Sequence, residues 1–176
     1  RLQGDWSSDV CSSDLMHLSP GGAARLHMLR KKLGERAFWG GVAHYLAAYE
    51  GKTADTAAFQ HALEAQSGQC LARFFDQWLH APGYPLIKAG FAWDEEKRVA
   101  TVTLEEKQVD RVRGIGHFDL VVTVAFEVSP GQWQRVATEL RDRRELRVPL
   151  ATRPLTVVID PDGDLLCALE IGRAHV

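Results

Sequence analysis

One change of rhythm constrains this chain more than any other feature. Up to His80 the apolar residues recur about every 3.6 positions, and beyond Ala81 they recur at every second position. Leu26, Leu29 and Leu33 share one face, and Gly34 offers a stop. Phe38, Val42, Tyr45, Leu46 and Tyr49 share the next face, closed by Gly51. Phe59, Ala62 and Leu63 follow a capping Asp55 or Thr56 and end at Gly68. Leu71, Phe74, Phe75, Trp78 and Leu79 form a fourth stripe, so four amphipathic helices with short connections are expected. Pro82, Gly83 and Pro85 then break the helical pattern. Alternation follows at Ile87–Trp93, Ala100–Leu104, Phe118–Val128, Val136–Leu140, Leu146–Leu150 and Leu155–Ile159, with a last short strand at Leu165 and Leu166. Turns are expected at Asp94–Glu96, Ser129–Gly131 and Asp160–Gly163. Seven short strands at regular spacing predict an antiparallel β-sandwich, and the fold class is α+β.

The two ends read differently from the rest. Asp9–Leu15 can be written as the codons GAC GTG TGC TCT TCC GAT CTC, whose reverse complement translates as Glu170–Val176. Heptapeptides that encode each other in opposite senses are not what selection for a fold produces. The nucleotide string is that of a common sequencing-library adapter. Residues 1–15 and 170–176 are therefore expected to be adapter-derived and are set aside, which leaves Met16–Leu169.

Without Arg1 and Arg173, and without Asp5, Asp9, Asp14 and Glu170, acidic and basic side chains balance. No basic stripe or acidic tail is left to favour nucleic acid or a membrane surface. No apolar run is long enough to cross a bilayer. The charged run Arg141–Arg147 alternates in sign, as a solvated strand edge or turn does. Cys70 and Cys167 read as free, partly buried thiols.

No motif for chemistry is complete. None of the seven His begins an H-E-x-x-H helix, the arrangement that puts two zinc ligands on one face with a glutamate as base. His27, His44, His61 and His80 stand singly and read as surface or boundary residues. Asp160, Asp162 and Asp164 open like a calcium loop. The sixth position, however, is Leu165 rather than Gly, and the twelfth is Ile171 rather than Glu, so a turn suffices. There is no G-x-S-x-G, and Gly114-Ile115-Gly116 lacks the third glycine of a dinucleotide site.

Two strings carry a resemblance. Gly22-Ala-Ala-Arg-Leu-His-Met-Leu-Arg30 resembles the K-G-A-x-V-L-H-M-L-R helix of the alanyl aminopeptidase family of zinc metallopeptidases. Phe74-Phe-Asp-Gln-Trp-Leu-His-Ala-Pro-Gly-Tyr-Pro85 resembles that family's F-F-x-Q-W-x-x-x-P-G-x-P segment, and Gly34–Trp39 fits between them. The resemblance implies that residues 16–83 are the helical end of a thermolysin-like catalytic domain and residues 84–169 the β-sandwich domain behind it. It also implies zinc in the parent protein, held upstream by H-E-x-x-H and a further Glu. Neither a catalytic residue, nor a cofactor contact, nor a metal ligand is then expected in this chain.

Ser19 falls where the family has its oxyanion-stabilising Tyr, and Gly21 falls on the neighbouring Lys. An inactive parent, a shifted alignment beside the junction, or one misread base (TAC to TCC) would each account for Ser19. The expectation is a piece of a zinc-dependent aminopeptidase that forms part of the cleft wall and its support. Its partners would be a peptide substrate and the N-terminal part of the same chain, with no nucleic acid and no membrane segment. The alternative is a non-catalytic aminopeptidase-like scaffold. The helices should expose apolar surface meant for upstream helices. Substrate preference, oligomeric state and compartment are not written in these residues.

Overall fold

The computed structural model describes the backbone of residues 11–172 and the side chains from Gly21 onward. The calls on residues 1–10 and 173–176, and on the side chains of Cys11 and Ser19, lie outside the described residues. Two compact units part between Cys70 and Leu71.

The first unit is helical: α1 Cys11–Leu33, α2 Glu35–Tyr49 and α3 Thr56–Ser67. Gly34 ends α1 in a positive-φ conformation (78°) that only glycine adopts without strain. Asp55 is the residue that caps α3, accepting from the Ala58 N–H at 2.8 Å. Gly68 closes the helix in the left-handed region, donating to the Glu64 carbonyl. Between α2 and α3 the backbones approach closely at Gly41, where a Cβ would lie 2.6 Å from Leu63 Cδ2 and 2.9 Å from Leu63 Cα. Tyr45 then meets Phe59 edge to face, with ring centroids 5.1 Å apart. Leu29, Leu33, Phe38 and Leu63 are buried in this unit.

The second unit opens with a short helix, α4 Ala72–Phe75, which widens into a π-turn over Asp76–His80. Ala81 N–H closes that turn onto the Asp76 carbonyl at 2.7 Å. The expected fourth helix is therefore present but changes its winding halfway. Seven strands follow: β1 Leu86–Asp94, β2 Val99–Glu106, β3 Leu120–Ser129, β4 Gln132–Leu140, β5 Arg143–Pro149, β6 Thr156–Ile159 and β7 Ala168–Ile171. They form two sheets, ordered β5-β2-β1-β7 and β4-β3-β6. Ile87, Ala100, Val102, Leu104 and Val148 of one sheet and Leu120, Val122, Val124, Phe126 and Leu140 of the other are buried, as inward-facing alternation requires. The four helices and the sandwich expected from the sequence are thus both present.

Three details differ from expectation. Leu165 and Leu166 are not in a strand, and the last strand is β7. It runs parallel to β1, pairing Leu86 with Ala168 and Ile87 with Leu169, so one pair departs from the antiparallel scheme. It also takes in Glu170 and Ile171, although Ile171 is 80% exposed and adds nothing to the core. Cys70 is exposed rather than partly buried, and both it and Cys167 are free thiols. The Arg143–Arg147 charges do lie on an edge strand, where they discourage edge-to-edge pairing. Across the solvent face of that sheet Glu170, Lys88, Glu105 and Arg143 stand in register and alternate in sign. No helix among the described residues is long and apolar enough to cross a membrane.

Candidate functional site

In the first string, Met28 and Leu29 are buried in α1, while Leu26 is 45% exposed. Arg30 at the end of α1 lies 3.2 Å from the Glu35 carboxylate, and Trp39 Nε1 donates to the same Glu35 at 2.8 Å. One side chain thus staples the corner made by Gly34. Trp39 (53% exposed), Ala43 and Leu46 (62%) leave an apolar stripe of α2 in solvent at i, i+4, i+7 spacing. Leu46 was expected on the buried face with Phe38, and its exposure is the one departure in that helix. Beside it an open groove is lined by Tyr45, Leu46, Tyr49, Glu50, Lys52 and Ala54, which hold no nucleophile paired with a base.

The second string lies in the second unit and is more tightly held. Leu71, Phe75, Gln77 and Trp78 are buried. The Gln77 amide makes two bonds to the backbone of Asp119, accepting from its N–H at 2.8 Å and donating to its carbonyl at 3.2 Å. The Asp119 carboxylate takes Arg73 at 2.8 Å and Arg141 at 3.3 Å. The hydrogen bond that Arg73 donates to Asp119, and then the charge of that carboxylate, raise the Arg73 pKa above its ordinary value. Trp78 packs on Phe118 with ring centroids 5.1 Å apart. Gly83 has φ 84°, and a Cβ there would come within 3.0 Å of Ile115 Cγ2. The Gly of the motif's P-G is therefore favoured by its backbone conformation and by the tight contact with Ile115.

Next to this contact lies a buried carboxylate that the sequence reading did not single out. Glu106 occupies the inward position that follows Ala100, Val102 and Leu104 in β2. Its side chain is fully buried. It accepts from Phe118 N–H at 2.9 Å, Asp142 N–H at 2.8 Å and Gln108 Nε2 at 3.1 Å, and His117 Nδ1 lies 2.9 Å away. Four partners satisfy both oxygens, so the group pins the 108–118 loop and the β4–β5 turn to the sandwich. Period-two alternation places Glu106 inside, and a charge at an inward position is the signal that partners must exist.

The Asp160 loop is a turn. Gly163 N–H bonds to the Asp160 carbonyl at 3.1 Å, and the Asp160 carboxylate accepts from the Asp164 and Leu165 N–H groups. Asp162 is paired with Arg135 at 2.7 Å. Burial, with a smaller contribution from Asp160, pushes the Cys167 thiol up to about 11, so that sulfur stays protonated and unreactive near neutrality. Ser19 falls within α1, and its side chain is outside the described residues. Among the described residues no three His, Cys, Asp or Glu side chains are grouped so as to hold a metal ion.

Residues 20–78 match the model of the peptidase family M1 domain. The chain is 33% identical over 87 residues to aminopeptidase N of Lactococcus lactis subsp. lactis, an alignment that covers 49% of this chain and 10% of that protein. In fold it is similar to Legionella pneumophila aminopeptidase A, solved in complex with aspartic acid. The TM-score is 0.67 at 14% identity, over 88% of this chain and 18% of the other. This chain thus spans a tenth to a fifth of the length of the proteins it matches. The helical part, residues 20–78, is thus similar to the peptidase family M1 domain, and the chain shares its fold with a solved aminopeptidase.

Proposed function

We propose that this chain is part of a longer zinc-dependent aminopeptidase that removes N-terminal amino acids from peptides. Residues 16–83 would be the end of its catalytic domain and residues 84–169 its β-sandwich. In this reading the zinc ligands and the general base lie in an upstream part of the same protein. This chain contributes a wall of the cleft and its bracing. The two terminal heptapeptides are then adapter translation. The observation that carries the reading is the pair of strings Gly22–Arg30 and Phe74–Pro85, in order and at the family's spacing, of which the family match takes in residues 20–78. The exposed apolar residues Leu26, Trp39 and Leu46 support it, because helices built to pack on further helices leave such surface when described alone.

The test has two arms. The purified chain with added zinc should not hydrolyse amino-acid arylamides, and turnover by pure protein overturns the reading. Sequence read upstream of Met16 in the source DNA should contain H-E-x-x-H with a downstream Glu. Its absence would favour the non-catalytic scaffold, and with it the inactive-parent account of Ser19.

A further inference from the structure

The family match stops at residue 78, in the middle of the π-turn, as if the peptidase domain ended there. The side chains point to a different division. We infer that Leu71–Pro85, which a division at residue 83 assigns largely to the catalytic domain, is the N-terminal cap of the sandwich and forms and melts with it. The inference shifts the domain division of the proposed function and leaves its chemistry untouched.

Three kinds of contact support it. The first is polar: Gln77 reads the N–H and C=O of Asp119 as a paired strand would, across a separation of 42 residues. The second is apolar: Trp78 lies on Phe118, and Leu71, Phe75 and Phe118 are among the most deeply buried side chains. The third is ionic, through Arg73 and Arg141 on one Asp119 carboxylate. All three converge on His117–Asp119. The other side of that tripeptide is held by Glu106, through Phe118 N–H and His117. A cap tied at both ends of one tripeptide to the buried carboxylate of the sheet cannot leave without exposing that carboxylate and Phe118. The π-turn suits this role. Its wider winding brings Gln77 and Trp78 to the buried side together, where an α-helix already committed to Leu71, Phe75 and Trp78 would direct Gln77 away.

Native-state hydrogen exchange on the full chain, followed in increasing urea, tests the inference. The amides of Phe75, Asp76 and Ala81 should lose protection in the same denaturant-dependent step as Val122, Val124 and Phe126. The α2 and α3 amides should open in another step. Gln77→Leu, which keeps bulk and removes both bonds, should speed exchange about tenfold in cap and sandwich alike while leaving α3 unchanged. If the cap amides of the unmodified chain exchange with α2 and α3, the inference is overturned. It is equally overturned if Gln77→Leu loosens only residues 72–81. Should Gln77→Leu fail to fold, the unmodified chain still decides between the two assignments.

Discussion

The two units solve the problem of burial differently. Among the described residues, the largest fully buried side chains lie almost all in the second unit, and only Leu29 and Leu63 lie in the first. The sandwich closes on itself: two sheets share one core, and its buried carboxylate has four partners. The helical unit buries one stripe of each helix; Leu26, Trp39 and Leu46 are exposed on its helices, while the exposed apolar residues of the second unit, such as Val112, Val121 and Leu155, lie on loops and outward strand positions. A β-sandwich supplies both faces of its core from its own strands, whereas a few helices bury their remaining stripes only when more helices arrive. The contrast is one of depth: the second unit holds most of the fully buried large side chains, the helical unit few.

Core truncation should break the contrast most sharply. Phe126→Ala, in the middle of β3, should cost roughly 3–5 kcal/mol and unfold the sandwich at lower urea. The α2–α3 exchange pattern should stay as it was, and simultaneous loss of both units would erase the distinction. Glu106→Leu comes next. It strands the Phe118 and Asp142 N–H groups in a dry site, at a cost of roughly 2–5 kcal/mol by urea denaturation. A smaller effect belongs to the helical side: Asp55→Ala removes the α3 cap and should cost about 1 kcal/mol, read as faster exchange at the start of α3.

Alkaline pH should weaken the second unit through Cys167. The Cys167 thiol is raised from about 9 to about 11 in the folded state, so the unfolded chain gives up that proton first. Stability is then unaffected at lower pH and falls as pH climbs from the ordinary thiol range towards 11, a slope that Cys167→Ala should abolish. The smallest effects should come from the exposed sites. Trp39→Ser with Leu46→Ser should change stability by less than about 0.5 kcal/mol yet reduce dye binding and self-association. Ile171→Ser should be equally neutral.

Much of this was legible. The period switch, the Asp55 cap, the Gly34 and Gly68 stops and the Asp160–Gly163 turn are local signals, and each is present. The last strand was misplaced for a local reason as well. Leu165 and Leu166 look like strand residues, but the Asp160 carboxylate takes the Asp164 and Leu165 N–H groups, so the ladder resumes only at Ala168. The polar knots were hidden for a different reason. Gln77 meets Asp119, and Glu106 meets Asp142, across stretches that no periodicity spans. A charge at an inward position announces that partners exist without saying which. The zinc chemistry of the family was legible only through the resemblance, since no donor grouping in these residues expresses it.

The parallel pairing of β7 with β1 has a consequence for vectorial synthesis. β1, the first of the seven strands to leave the ribosome, is flanked on one side by β7, the farthest from it in sequence, with Ala168 N–H on the Pro85 carbonyl. Until that final stretch emerges, the backbone groups along one flank of β1 remain an open template, accessible to any extended segment nearby. That flank of β1 is thus open to mispairing until β7 is made.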